Sequence, residues 1–208
     1  MDTKSKISSG EMLPVMEHFY TIQGEGFNTG KAAYFIRLGG CDVGCTWCDV
    51  KESWDFDKHP IHTIDEMTEW NLVSKSNFCV ITGGEPSLYN LRPLTDLLIK
   101  NNVKTAIETS GTGEITGNWH WVCLSPKKFK LPIESSYLKA NELKVIVFNK
   151  HDLIWAEEQA AKVKPGCILF LQPEWEKREE MMPMIVEYVK QNPKWKISLQ
   201  THKYLNIP

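Results

Sequence analysis

The chain has 208 residues, a formal net charge of −2 at pH 7 and 24% charged residues. A chain of this length can bury about 70% of its unfolded surface, so it needs no disulfide framework to fold. Because the net charge is near neutral, no overall electrostatic field steers the protein to nucleic acid or an anionic membrane. No segment approaches the roughly 18 apolar residues of a membrane span, and none resembles the apolar core of a signal peptide. We therefore expect a cytoplasmic protein.

Strand-like apolar runs alternate with helical patterns along the chain. The predicted strands are 33–38, 78–82, 105–108, 121–124, 143–148, 168–172 and 196–200. The predicted helices are 65–73, 91–101, 152–163 and 182–191. Thr63 is expected to cap the first helix, and Pro183 is expected in the first turn of the last. Alternating strands and helices imply a mostly parallel sheet. Because no linker divides the chain, we predict one α/β domain over residues 1–208.

Three cysteines follow the first predicted strand, in the run GGCDVGCTWCD. Cys41, Cys45 and Cys48 form a CxxxCxxC pattern, which in a reducing compartment indicates metal binding or catalysis. Thiolates favour iron-sulfur clusters or zinc, and a closed site normally takes four protein ligands. Three ligands indicate a cluster with one open iron, and zinc completed by a distant His or Cys is the alternative.

The other three cysteines, Cys79, Cys123 and Cys167, lie inside apolar runs. Buried free thiols behave as small hydrophobic groups. We therefore predict that these three pack in the core.

Polar or glycine-rich segments begin where five predicted strands end. They are TGGEP at 82–86, ETSG at 108–111, SPK at 125–127, QP at 172–173 and QTHK at 200–203. Because Gly, Pro, Ser and Thr are common in turns, an ordinary turn could explain any one of these segments. Five in succession indicate a ligand site, because loops at the carboxyl edge of parallel strands converge over one opening.

These motifs, together with FYTIQGEG and the final QTHKYLNIP, resemble the radical S-adenosylmethionine enzymes and, within them, the 7-carboxy-7-deazaguanine synthase family. The resemblance runs nearly end to end. It implies a partial (βα) barrel, a [4Fe-4S] cluster, S-adenosylmethionine, an external flavodoxin-like or ferredoxin-like electron donor and a homodimer. The implied reaction is the radical ring contraction of 6-carboxy-5,6,7,8-tetrahydropterin with loss of ammonia, in the biosynthesis of queuosine-type 7-deazapurines.

The resemblance also assigns site residues. Cys41, Cys45 and Cys48 would bind the cluster and, with Glu108, form the catalytic set. The S-adenosylmethionine side would include Trp47, Cys48, Asp49, Gly84, Glu85, Thr109, Ser110, Ser125, Pro126, Lys127 and Gln172. The substrate side would include Ile22, Gln23, Gly24, Glu25, Arg37, Thr82, His202 and the carboxylate of Pro208. Carboxylates and amide oxygens suit the guanidine-like edge of a pterin, and an arginine fork suits its carboxylate.

One position departs from the family pattern. Many members have Thr or Ser where this chain has Val50, and that hydroxyl binds Mg²⁺. Valine offers no oxygen to a hard cation, so Mg²⁺ is doubtful, and the ammonium of Lys51 is a candidate replacement.

Two other functions, and binding to nucleic acid, fit parts of the sequence but not the whole. A glycyl-radical enzyme activase uses the same cluster, but it does not account for FYTIQGEG or QTHKYLNIP. A non-catalytic iron-sulfur or zinc module leaves GGEP, ETSG, SPK and QP unexplained. The lysines at 127, 128 and 130 are expected to form a solvated face rather than a nucleic-acid site, and Trp119 and Trp121 are expected to pack.

Overall fold

The computed structural model describes residues 2–208. These residues form nine strands and seven α-helices. The strands are β1 (Met12–Ile22), β2 (Ala32–Leu38), β3 (Ile61–Thr63), β4 (Phe78–Gly83), β5 (Lys104–Thr109), β6 (Trp121–Leu124), β7 (Glu142–Val147), β8 (Ile168–Pro173) and β9 (Trp195–Ile197). The helices are α1 (Thr3–Ser9), α2 (Ile64–Ser74), α3 (Arg92–Lys100), α4 (Glu134–Lys139), α5 (His151–Ala160), α6 (Arg178–Gln191) and α7 (Thr201–Leu205).

All nine strands form one sheet, in the order β3-β1-β2-β4-β5-β6-β7-β8-β9. Strand β2 and strands β4 to β9 pair in parallel with their neighbours in this order, whereas β1 pairs antiparallel with both β2 and β3. Sequential parallel order with intervening helices is the arrangement of an incompletely closed βα barrel. The prediction of a mostly parallel α/β fold is confirmed.

The two faces of the sheet differ because side chains alternate along each strand. Ile36, Ile81 and Ile107 are buried in a core with the helices, and the second half of the sheet has a similar core around Leu143 and Val145. The opposite face carries a smaller apolar cluster near the start of the strands, formed by Ala33, Phe35, Phe78, Val80 and Ala106. Further along that face the side chains are polar, so this end of the sheet can bind a ligand.

Several elements were not predicted from the sequence. These are β1, β3, α1, α4 and α7. The last strand is shorter than expected and ends at Ile197, and α6 begins at Arg178, so Pro183 lies inside the helix rather than in its first turn. The predicted cap is confirmed, since Thr63 and Glu66 form a reciprocal capping box at the start of α2. No helix among residues 2–208 is long and apolar enough to cross a bilayer.

Candidate active site

A cavity of about 550 Å³ opens where the parallel strands end. Every residue that the sequence assigned to the site lines this cavity except Pro126, which is buried outside the lining. The structure therefore brings together groups from both ends of the chain. Their individual roles stay predictions.

The cysteine loop forms one wall. Cys41, Cys45 and Cys48 all line the cavity, and each is close enough to the others for their charges to interact. Burial raises the pKa of the Cys45 thiol to about 11, although nearby Lys127 lowers it. A buried thiolate is thus stable only beside a strong positive charge such as iron.

The three thiols provide soft ligands that a metal centre could use. A zinc site needs its donors at about 2.0–2.3 Å from one centre, whereas each cysteine of an iron-sulfur cluster binds a different iron. A soft, three-thiol donor set around shared cavity space fits a [4Fe-4S] cluster.

Glu85 organises the loop after β5. It is almost completely buried, and its carboxylate accepts hydrogen bonds from Ser87 N and Ser110 N, both at 2.8 Å, and from the hydroxyls of Thr109 and Ser110. A carboxylate has about four acceptor sites. Because protein donors occupy all four, Glu85 holds the GGEP and ETSG segments together. A direct contact between this carboxylate and S-adenosylmethionine would require one of the four hydrogen bonds to break.

The prediction that Lys127, Lys128 and Lys130 form a solvated face is wrong for Lys127. Its ammonium donates to the carbonyl and hydroxyl oxygens of Ser125 at 2.6 and 2.7 Å and lies 5.8 Å from the ring centre of Trp47. Burial lowers the pKa of Lys127, and the nearby Cys45 raises it less. Lys128 pairs with buried Asp152, and Lys130 pairs with exposed Asp42. Lys127 reaches the cavity because the SPK segment directly follows the carboxyl end of β6, where the cavity opens.

The predicted core positions agree with the structure. Cys79 and Cys123 are buried and Cys167 is half-buried against apolar neighbours. Trp119 packs on the helix-side core, and Trp121 stacks on Phe27 with ring centres 4.5 Å apart. Both tryptophans pack, as expected.

The predicted substrate residues line the same cavity from β2, β4, β5, the loop after β1 and the C-terminal segment. Gln23 is buried and donates from Nε2 to Glu108 Oε1 at 2.8 Å, and the Thr82 hydroxyl lies 3.5 Å from Glu108 Oε2. Arg37 Nε lies 2.7 Å from Glu17 Oε1. Arg37 is thus close enough to Glu17 for an ion pair, and the same arginine side chain lines the cavity.

The loop after β1 crosses the cavity to the other end of the sheet. Glu25 forms an ion pair with Lys144 of β7 and accepts from Gln200 Nε2 at 2.9 Å. Gly24 O accepts from Thr201 N at 2.9 Å, and Gly26 N donates to Ser198 Oγ at 2.9 Å. These contacts join the first strand to the last segment across the open side of the barrel.

Sequence reasoning missed Lys144, Gln200 and Lys203, which all line the cavity. Lys144 had a detectable signal, because it is the one cation inside the apolar run LKVIVF. Gln200 and Lys203 belong to the QTHK segment that the sequence predicts at the carboxyl edge, but neither was assigned a role of its own.

The magnesium position does not fit a hard cation. Val50 lines the cavity without a side-chain oxygen, and its carbonyl already accepts from Ser53 N at 3.1 Å and Ser53 Oγ at 2.7 Å. Lys51, the proposed substitute, is exposed and outside the lining. Lys203 instead lies 3.1 Å from Asp49 Oδ2 inside it. We assign no step to Mg²⁺.

The backbone at Gly84 lies close to Gly40 and Cys41 of the cysteine loop, and this contact can be tested. A Cβ at this position would lie 2.6 Å from the carbonyl carbon of Gly40 and 3.2 Å from Cys41 Cβ, so the cysteine loop would have to move. We expect Gly84→Ala to destabilise the fold by about 1–3 kcal/mol and to reduce iron and sulfide content after reconstitution. Gly30→Ala is the control, because it has positive φ but open space around it. Equal cluster content in both variants would contradict this expectation.

Comparison with known proteins gives consistent results. The Radical SAM superfamily matches residues 35–115. The chain is 60% identical to the 7-carboxy-7-deazaguanine synthase of Flavobacterium psychrophilum, covering 97% of this chain and 96% of the relative. It is 47% identical to the Synechocystis enzyme of the same name, covering 93% of each.

A solved structure agrees with these relatives. The crystal structure of QueE from Escherichia coli superposes with a TM-score of 0.83 at 31% identity, covering 95% of this chain and 98% of the other. The fold and the family resemblance predicted from the sequence are confirmed. The chain belongs to the 7-carboxy-7-deazaguanine synthase family of radical S-adenosylmethionine enzymes.

Proposed function

We propose that this protein converts 6-carboxy-5,6,7,8-tetrahydropterin to 7-carboxy-7-deazaguanine with loss of ammonia. One observation carries the proposal beyond family membership. A single cavity is lined by the three thiols of the cysteine loop and, from other segments of the chain, by the carboxylates of Glu25 and Glu108. Such a cavity has room for a redox cofactor and a polar, guanidine-bearing substrate side by side.

The superfamily's cofactors are a [4Fe-4S] cluster and S-adenosylmethionine. When bound, they supply the one-electron chemistry that removes hydrogen from the substrate. Cys41, Cys45 and Cys48 would hold the cluster, which leaves one iron for S-adenosylmethionine.

The remaining cofactor contacts belong to the carboxyl ends of the strands. Trp47 offers an aromatic face, Asp49 offers acceptors for ribose hydroxyls, and Gly84 lets the backbone approach. Ser110, held by Glu85, completes this wall. We also assign Thr109, Ser125, Lys127 and Gln172 here.

The substrate residues act by binding and orienting. Glu25, Glu108 and the amide of Gln23 would accept from the guanidine-like edge of the pterin, and Arg37 would pair with its carboxylate. Glu25 is ionised in the site. Burial acts to raise the pKa of this carboxyl, but the Lys144 ammonium and hydrogen bonds from Lys144 and Gln200 lower it to about 2.

The tail supplies a further substrate contact. Ile207 N donates to His202 O at 3.1 Å, which turns Pro208 toward the cavity that it lines. We expect that residues added after Pro208 lower kcat/KM at least tenfold, because a hydrogen bond from a charged group contributes about 1.5–3 kcal/mol. The same tag placed at the other end is the control, and iron content should match in both proteins. Equal turnover by the two proteins would refute a role for the Pro208 carboxylate.

Cofactor cleavage distinguishes this proposal from its rivals. Reconstituted without oxygen, the protein should release 5′-deoxyadenosine only when reductant is present. It should form 7-carboxy-7-deazaguanine only when the pterin is present as well. A metal-binding module would cleave nothing. An activase would cleave the cofactor but leave the pterin unchanged. We further propose a homodimer in the cytoplasm that receives electrons from a flavodoxin-like or ferredoxin-like donor and binds no nucleic acid.

A further inference from the structure

Lys144 is a buried cation on the cavity face of β7. Only 4% of the residue is exposed, and its neighbours along that face are Glu142 and Ile146. Isolated buried ammonium groups are strongly unfavourable unless they are paired. The partner here is Glu25, whose side chain is 15% exposed. The pair therefore sits inside the site rather than on the surface.

Glu25 is fixed from three sides. Its carboxylate meets Lys144 and the Gln200 amide, and its backbone N–H donates to Gln23 Oε1 at 3.0 Å. The three contacts come from β7, from the segment before α7 and from the loop itself. Of these, only Lys144 carries a charge, and it is the main compensation for the buried negative charge.

A second carboxylate makes this charge more important. Glu108 is close enough to Lys144 to raise the pKa of that ammonium group. The other titratable groups facing the pair are Cys123, Lys127 and His202. Burial raises the pKa of Cys123 far above neutral pH, so this thiol stays uncharged, and burial lowers the pKa of both Lys127 and His202. Lys144 is thus a positive charge that interacts with both acids.

We propose that Lys144 is a positioning residue that holds Glu25 in place and ionised at the substrate end of the cavity, so that its loss impairs pterin binding rather than cofactor cleavage. This inference rests on the proposed function. Lys144 acts through Glu25 and is not assigned a contact with the reacting atoms.

The test compares Lys144→Met, Lys144→Arg and the double variant Lys144→Met/Glu25→Gln. At pH 7, Lys144→Met should raise KM for the pterin at least about tenfold, the factor expected for one charged hydrogen bond, with a smaller change in kcat. Without the ammonium, burial raises the pKa of Glu25, so its carboxylate ionises only at higher pH. The KM of Lys144→Met should therefore fall as pH rises, a trend absent from the parent enzyme and from Lys144→Arg.

The double variant separates the pair from general damage. It has no carboxylate at position 25, so it should lose the added pH dependence of Lys144→Met. It should also have a higher unfolding midpoint than Lys144→Met, because the latter leaves a buried acid without its partner. Iron content and pterin-independent cofactor cleavage should be the same in all variants.

Three results would overturn the role of Lys144. They are a parental KM in Lys144→Met, an added pH dependence that persists in the double variant, and a double variant no more stable than Lys144→Met. The stability comparison needs no turnover, so it decides the pairing even if the parent enzyme makes no deazaguanine. Absence of product from the parent would overturn the proposed function separately.

Discussion

Replacing Cys45 with alanine should reduce turnover below detection. Cys45 is buried at the cavity wall with Cys41 and Cys48, and no fourth cysteine among residues 2–208 lines the cavity to replace it. The protein groups that remain cannot supply one-electron chemistry, and enzymes accelerate their reactions by about 10⁶-fold or more. Iron and sulfide content should fall together with cofactor cleavage.

Cys167→Ala is the matched control for this experiment. Cys167 is half-buried and packs against the helix-side core of β7 and β8, away from the cavity lining. Its loss should leave cluster content and turnover at the parental level. If Cys45→Ala retained a cluster and turnover, the assignment of the CxxxCxxC loop would be wrong.

Replacing Glu108 with glutamine should lower kcat/KM for the pterin by about 10²-fold. Glu108 ends β5 on the cavity face and is oriented by Gln23 and Thr82. The substitution preserves shape but removes the charge, and a hydrogen bond to a charged group contributes about 1.5–3 kcal/mol. Cofactor cleavage without the pterin should not change, because the effect is confined to the substrate end.

Glu114→Gln is the control for charge removal. Glu114 is exposed and pairs with Lys139, and it does not line the cavity. Exposed pairs contribute about 0–1 kcal/mol, so kcat/KM should stay at the parental value. Equal kinetics for Glu108→Gln and Glu114→Gln would remove Glu108 from the site.

The parallel half of the fold could be predicted because its strands are short, apolar and separated by helical patterns. The antiparallel strand β1 could not be predicted in the same way. Its pairing with β2 shifts register between Val15 and Glu17, so the alternation of buried and exposed side chains changes phase within the strand. Pro14 further weakens the strand pattern, although it is compatible with the pairing to β3.

The cavity residues could be predicted where a motif ends a strand, as for Glu85, Glu108 and Gln172. The charged side chains that pair with other cavity residues, such as Lys144 and Lys203, could not be predicted in this way. Lys144 lies in mid-strand, and only the tertiary structure places Glu25, 119 positions away in sequence, beside it. Lys203 reaches Asp49 for the same reason, across a separation of 154 positions. The sequence predicts which groups reach the carboxyl edge, whereas pairing across the edge depends on loops that carry no local signal.

The most direct measurement is product analysis under strict anaerobiosis with 6-carboxy-5,6,7,8-tetrahydropterin, S-adenosylmethionine and reductant. We predict 7-carboxy-7-deazaguanine, identified by mass, with one ammonia released per molecule of product. A fully loaded [4Fe-4S] protein that cleaves S-adenosylmethionine but returns the pterin unchanged would contradict the account.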